Sequence, residues 1–569
     1  MQLSHARTHS LVALFVASWL APAVCEAAEA TDHLNTQVPA LPGFLPRDTE
    51  VPFQLPPVPA PDAGTSPAGS TEKFKLERVR FHGNTVFSTD VLVAIAAPFA
   101  GREISLAQLE ELRQLLTRHY VDRGYVNSGV LIGSGSADGV VLFEVVEGIL
   151  SSVRLRGLER LDENYVVRRL VHDSDGPFNL DVVRERYQLL LGDPLFLRMN
   201  ARLMPDARPG EATLDIDAVR ARPYHLSVAA NNYRPPSIGA NAVSLSGWVR
   251  NLTGQGDVLE ASVQAPPDHA SESGYNIAWR MPIGFRGTQL SVAFDHDRSA
   301  VIEEPMKVLN IKSTHDTRDI GISQTIAETL RQKISIGINS VKRESRTSLL
   351  GMPFSFNPGE VDGVLKETIW RFWQEYTYRS ETQVVALRST FNQGKNDLQV
   401  IAGLPPVLIP DTRFRFWLGQ VQYARQVMEN GAQIVVRGTR QDTGDRLTSI
   451  DSMSIGGVST VRGFRENQLV RALGETVNIE FEYPLASSGP NGLNTTLTPF
   501  YDFGRGRNQG SRATTIDSVG IATRVRWRGF GLDLVLAKPL RSPEFTKSKD
   551  DTLQDKGVHV QLSYDFFGG

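Results

Sequence analysis

The chain has 569 residues, with 60 Lys and Arg against 63 Asp and Glu, a net charge of −3 at pH 7, and 41% hydrophobic residues. That length holds several domains rather than one core, and the charge balance gives no basis for a nucleic-acid partner. Past the N-terminus no run approaches the roughly 20 apolar residues of a membrane-spanning helix, which excludes a helical membrane protein but not a β-barrel, whose lipid-facing residues alternate with polar ones.

Arg7 and His9 lead into Leu11-Val12-Ala13-Leu14-Phe15-Val16-Ala17, Trp19 and Leu20, and Pro22 ends the run. With Ala27 or Ala30 as the small residue at the cleavage point, residues 1–28 predict an export signal, too short in its apolar core to span. The only cysteine, Cys25, lies in this segment, with Pro22 where a lipoprotein site needs a Leu-like residue. Cleavage beyond Cys25 leaves no thiol, which suits export to an oxidising compartment. Residues 29–71 predict an extended linker, because Pro39, Pro42, Pro46, Pro52, Pro56, Pro57, Pro59, Pro61 and Pro67 prevent a long helix. At most Leu34 to Val38 begins a helix there.

Two similar modules follow, at 72–147 and 148–222. The first opens with a strand over Phe74–Phe81 and turns at Gly83-Asn84. Helices over Thr89–Ala97 and Leu106–Arg123 come next, the second with Leu109, Leu112, Leu115, Leu116 and Tyr120 on one face. Strands over Tyr125–Ile132 and Val140–Gly148 close it. The second module repeats the order: a strand from Ser152 to Arg156, helices over Asn164–Val171 and Leu180–Leu191, then strands at Leu203 and Ala212–Val219.

From Pro223 the apolar period becomes two. Val558, Val560, Leu562, Tyr564 and Phe566 alternate with His559, Gln561, Ser563 and Asp565, and Val477, Ile479, Phe481 and Tyr483 alternate with Asn478, Glu480 and Glu482. A charge on the lipid face costs roughly 2–4 kcal/mol near the bilayer midplane, so the charged set within the membrane must face the lumen. Strands are predicted near 224–233, 241–251, 257–265, 274–281, 287–296, 308–322, 332–344 and 363–378. Eight more fall near 381–391, 412–427, 431–440, 474–485, 495–504, 515–527, 530–538 and 557–567. Sixteen is an even number, as a bacterial barrel requires. With both termini periplasmic, 441–473 is the sixth outer loop.

That loop carries Ser454-Ile455-Gly456-Gly457 and then Val461-Arg462-Gly463-Phe464, and a later strand carries Phe500-Tyr501-Asp502-Phe503-Gly504. In this setting the pair resembles the loop motif and strand partner of the BamA–TpsB superfamily, and among its members the two-partner secretion transporters (TpsB family, haemolysin and haemagglutinin secretion/activation proteins). Asn251-Leu252-Thr253-Gly254-Gln255-Gly256-Asp257 and Tyr483-Pro484-Leu485 fit the same family. The resemblance covers about 72–569. It implies a 16-stranded antiparallel transmembrane β-barrel over 223–569, in the bacterial outer membrane, preceded by two periplasmic α+β POTRA domains.

The function implied is passage of a large, unfolded secreted cargo protein (a cytolysin, adhesin or contact-dependent toxin) that the POTRA domains receive. An outer-membrane assembly factor, which inserts other barrels, is the alternative. Outer-membrane lipid surrounds such a barrel, and the barrel assembly machinery and periplasmic chaperones serve its biogenesis. The resemblance also places Val461, Arg462, Gly463 and Phe464 in the lumen, facing Phe500, Asp502 and Gly504, with Arg462 reaching Asp502. No enzyme, cofactor or metal is expected: Gly-x-Ser-x-Gly, His-Glu-x-x-His and Walker loops are missing, and the 11 His are scattered.

Overall fold

A computed structural model of the chain describes residues 41–45, 53–54 and 73–567, without 135–137, 173–175, 268–272, 305, 400–408, 490–491 and 543–550. The predicted export signal and most of the linker lie outside the described residues.

Within the linker, β1 (Phe53–Gln54) is paired as described below. The first module then runs β2 (Lys73–Lys75), β3 (Arg78–His82), α1 (Thr89–Ala96), β4 (Glu103–Ser105), α2 (Leu106–Val121), β5 (Gly129–Ile132) and β6 (Val140–Val146). The expected opening strand is broken at Leu76-Glu77, where the Leu76 N–H turns to the Arg102 carbonyl and its side chain enters the core. The early half pairs instead with β4, a Glu-Ile-Ser strand too short to show a period. Ser105 and Gln108 form a capping box at the start of α2. Leu109, Leu112, Leu116 and Tyr120 are buried on its inner face.

The second module runs β7 (Ile149–Arg156), α3 (Glu163–Leu170), α4 (Leu180–Leu191), β8 (Phe196–Pro205) and β9 (Glu211–Arg220). Asp162 caps α3 through the Asn164 N–H, and Asn179 caps α4 through the Asp181 and Val182 N–H groups. In each module the opening strand lies parallel to the last strand, and the middle strand joins the last antiparallel: β3 and β5 flank β6, and β7 and β8 flank β9. The shared topology is the repeat seen in the sequence. The free edge of β8 takes up β1, which pairs parallel to it.

The second module is bound to the barrel by its helix entry. Asp162 donates its N–H to the Gly254 carbonyl at 2.9 Å and accepts from Gln255 Nε2 at 3.2 Å, in the turn 251–257.

Sixteen long strands form the barrel. They are β10 (Tyr224–Asn231), β11 (Ala242–Arg250), β12 (Val258–Ala265), β13 (Gly274–Ile283), β14 (Thr288–Ala300), β15 (Lys312–Glu328) and β16 (Gln332–Leu349). After the two-residue β17 (Met352–Pro353) come β18 (Val364–Arg379), β19 (Gln383–Asn396), β20 (Arg413–Gln426) and β21 (Gln433–Asp442). The loop strands β22 (Met453–Ile455) and β23 (Leu469–Arg471) precede β24 (Leu473–Ser487), β25 (Asn494–Arg507), β26 (Thr514–Trp527), β27 (Phe530–Arg541) and β28 (Val558–Asp565). All long neighbours are antiparallel, and β28 closes on β10 from Ser227↔Asp565 to Asn231↔Gln561. Outward apolar residues such as Leu245, Ile277, Ile320, Phe391, Ile479 and Leu562 are exposed, as a lipid face requires. Among the described residues no helix is long and apolar enough to cross a membrane.

Leu112 is fully buried in the first module's own core, which shares no residue with the barrel. Leu112→Ala should cost about 2–5 kcal/mol there. Limited proteolysis of the full chain should then cut within 73–148 while the barrel keeps its heat-modifiable mobility in gels.

Candidate functional site

The loop between β21 and β24 turns back into the lumen because its own sequence is apolar where it meets the wall. β22 and β23 pair as a short hairpin. Met453, Ile455, Val461, Phe464 and Leu469 are buried together with Phe414, Phe416 and Ile516 of the barrel. Two glycines make the close approach possible. A Cβ at Gly504 would lie 2.5 Å from Ile455 Cγ2 and 2.7 Å from Val461 Cγ2. Gly463 has φ +90°, a left-handed conformation that side chains disfavour.

Arg462 projects from this seat into a set of acceptors. Its Nε and Nη2 donate to the two oxygens of Asp502, each at 2.7 Å, and its backbone N–H donates to Asp502 Oδ2 at 3.0 Å. Its Nη1 reaches Glu480 Oε1 at 2.7 Å, and Arg437 pairs with the other Glu480 oxygen. The guanidinium carbon lies 3.5 Å from the centre of the Phe500 ring, a cation–π contact. Asn478 Nδ2 donates to Asp502 Oδ1 at 2.8 Å and also to the Thr460 carbonyl. Ser518 Oγ donates to the Arg462 carbonyl at 2.5 Å, and the Gly463 N–H donates to His559 Nε2 at 3.3 Å. Asp502 is 0% exposed. A planar fork suits this site, since it fills two carboxylates and one ring face at once.

The structure therefore brings Val461, Arg462, Gly463 and Phe464 against Phe500, Asp502 and Gly504. Sequence reading did not single out Glu480, Asn478, Arg437, Ser518 or His559 for this site. Asn478 and Glu480 carried a signal, because alternation alone put them on the polar side of their strand.

A second ionic cluster holds the loop tip on its outer side. Arg465 pairs with Asp555 at 2.5 Å and with Glu303 at 2.6 Å. The Glu466 N–H donates to Gln554 Oε1 at 2.8 Å, and Gln554 Nε2 donates to the Asn232 and Arg234 carbonyls beside the closing seam. Burial pushes the Glu466 carboxyl, in the loop outside the sixteen strands, up to about 7, opposed by the Val458 N–H that it accepts. Among the described residues no group of His, Cys, Asp and Glu could hold a metal ion.

The model for the haemolysin secretion/activation protein ShlB/FhaC/HecB matches residues 210–527, and that for the ShlB-type POTRA domain matches 74–148. The chain belongs to the haemolysin secretion/activation family. The chain is 22% identical over 479 residues to the heme/hemopexin transporter protein HuxB of Haemophilus influenzae (strain 86-028NP), covering 81% of each chain. It is 21% identical over 402 residues to the outer membrane transporter CdiB of Dickeya dadantii (strain 3937), covering 69% of each. Its fold is that of CdiB from Escherichia coli, with a TM-score of 0.67, 19% identity, and 90% and 94% of the two chains covered. CdiB from Acinetobacter baumannii gives a TM-score of 0.61 at 14% identity, covering 99% and 98%. As a member of the family this chain is an outer-membrane translocator: POTRA modules in the periplasm receive a large secreted partner protein, and the barrel passes it outward.

Arg462→Ala leaves buried Asp502 without its cation, and Asp502→Ala leaves the guanidinium with Glu480 as its one direct carboxylate partner among the described residues; each loss should cost about 3–5 kcal/mol in loop seating. The double variant should be little worse than either single one, because each single change already removes the side-chain bonds the two groups share. Secreted partner in the medium, divided by heat-modifiable barrel in the membrane, measures the effect, and losses that sum would show two independent roles.

For Glu466 the sign is opposite to that of a salt-bridged acid. Its raised value contributes stability that is full below the ordinary carboxylate range and is lost as pH rises through about 7. Protease cleavage within 456–468 should accelerate as pH rises from about 5 to about 7 and level off above, and Glu466→Gln should flatten that dependence.

Proposed function

We propose that this chain secretes one large, unfolded partner of the cytolysin, adhesin or contact-dependent toxin type, and that the Arg462–Asp502 clasp holds the sixth loop in its working position. The observation that carries the role of the clasp is the concentration of donors and acceptors on one residue: Arg462 engages Asp502 at three points and Glu480 at a fourth. A loop that only plugged the lumen would need apolar packing, which Val461 and Phe464 already supply. The clasp adds direction, fixing the loop to the β24–β25 wall and leaving the opposite side for the moving chain.

The division that supports this reading is an export signal at 1–28, a linker at 29–71, POTRA modules at 72–147 and 148–222, and the barrel at 223–569. An unfolded segment is recognised through its backbone when it adds a strand to a sheet edge, which tolerates many side chains. No nucleotide is available outside the inner membrane, so folding of the partner on the far side supplies the drive. The family relatives named above are a heme/hemopexin transporter and outer membrane transporters, and a secreted partner of the toxin or adhesin class fits both the two-module periplasmic arm and the single wide barrel.

Deleting 72–147 tests the division of labour. The barrel satisfies its own backbone hydrogen bonds and should still assemble as a heat-modifiable species. A tagged secreted partner should remain in the periplasm. Normal release to the medium by the deleted form would remove the first module from recognition.

A further inference from the structure

One row of the barrel's outer surface is crowded with unpaired cations. Cross-strand register places Arg318 of β15 opposite Lys342 of β16, Lys342 opposite Thr368 of β18, Thr368 opposite Lys395 of β19, and Lys395 opposite Arg413 of β20. Four of the five residues in this row are basic and all four are exposed. Adjacent strands are about 4.8 Å apart, so the row spans about 19 Å. Two of its contacts, Arg318 with Lys342 and Lys395 with Arg413, set like charges directly opposite each other, which destabilises a sheet. Among the described residues none of these four forms an ion pair. Lys366 and Arg415 add two more exposed cations beside the row. The acidic groups nearby are Asp316 and Glu344, both engaged by Arg346, Asp397 and Asp445, which accept the Lys366 and Arg415 backbone N–H groups, and Asp442.

The next outward row toward the membrane, Ile320, Ser340, Trp370, Gln393 and Arg415, is mixed, and the row beyond it is of another kind. Ile322, Ile338, Phe372, Phe391 and Trp417 follow one another in the same register. With Trp370 several of them line an open cleft of about 550 Å³ whose upper edge carries Arg415. On each of these strands the outward side chains thus pass from apolar to cationic on approaching the outer end. The inward neighbours Asp319, Arg343 and Glu367 are buried in the lumen and do not reach this face.

We propose that this face of β15–β20 is a binding site for a phosphorylated, acylated glycolipid of the outer leaflet. Its acyl chains would lie against the apolar row and its phosphates would bridge the facing cations. Phosphate is the chemistry that fits, because one dianion can satisfy two cations held a strand spacing apart, and Arg accepts it through a planar fork. The inference uses the barrel's place in the outer membrane and is independent of the secreted partner.

The test uses the purified full chain in detergent, with lipid retention read by native mass spectrometry. The probes are bis-phosphorylated lipid A, the same lipid dephosphorylated with inorganic phosphate added, and phosphatidylglycerol. The intact chain should hold bis-phosphorylated lipid A at least about tenfold more tightly than either other probe. Replacing Lys342, Lys395 and Arg413 together by Ser should abolish that preference, whereas Lys342→Arg with Lys395→Arg should keep it; heat-modifiable mobility verifies folding of both. Equal retention of the three probes, or an undiminished preference in the folded Ser variant, would overturn the proposal.

Discussion

The constraint from which the rest follows is that lipid offers no hydrogen bonds to a backbone. Every N–H and C=O within the membrane must find its partner in the chain, and a sheet can do this only by closing on itself. The last ladder, β28 on β10, is therefore a requirement of the solvent as much as of the sequence. It is also short, from Ser227↔Asp565 to Asn231↔Gln561, and side chains extend it. Asn232 accepts from the Val560 N–H and donates to the Val558 carbonyl, so its amide takes the place of a further backbone pair.

Closure creates a lumen, and the lumen sets the second problem. Its wall is polar, because the outward positions are reserved for apolar groups. Charges there are far from bulk solvent and must be paired. The loop answers on two fronts, seating apolar residues on one patch of wall and presenting Arg462 to the carboxylates of Asp502 and Glu480. A related pairing ties Arg343 of β16 to Asp451 at the loop's base at 2.8 Å, with both groups almost wholly buried. The loop is thus held at its base and its middle by ionic contacts to barrel strands and at its tip by ionic contacts to two other loops. This arrangement resists sliding of the loop along the lumen better than one strong contact would.

The periplasmic modules obey the ordinary rules of a water-soluble domain. Each buries an apolar face of two helices on a small sheet, with capped helix ends. Their attachment is local. The Asn179 side chain donates to the Arg123 carbonyl between modules, and the turn 251–257 receives Asp162 at the barrel. Such contacts position each module against the next, with Val126 of the first module packed on the core of the second.

Much of this was legible in the sequence. Period-two alternation located all sixteen long strands, because the lipid face admits few polar residues and each strand repeats the same test. Periodicity also found the four helices, whose buried residues recur at helical spacing. Short pieces escaped it: β4, β22 and β23 have three residues each, too few to display a period, and they exist because a neighbouring strand is in place to pair with them. The split of the expected strand at Leu76 has the same origin, since core burial of that side chain outweighs continued pairing. Val461-Arg462-Gly463-Phe464 was visible as a motif, yet Glu480 and Asn478 became its partners only when β24 was laid beside β25 in register. The cation row from Arg318 to Arg413 is likewise spread over nearly a hundred residues of chain. Alternation by itself determined which side each residue faces; which residues face one another depends on strand register, and register is a property of the closed sheet.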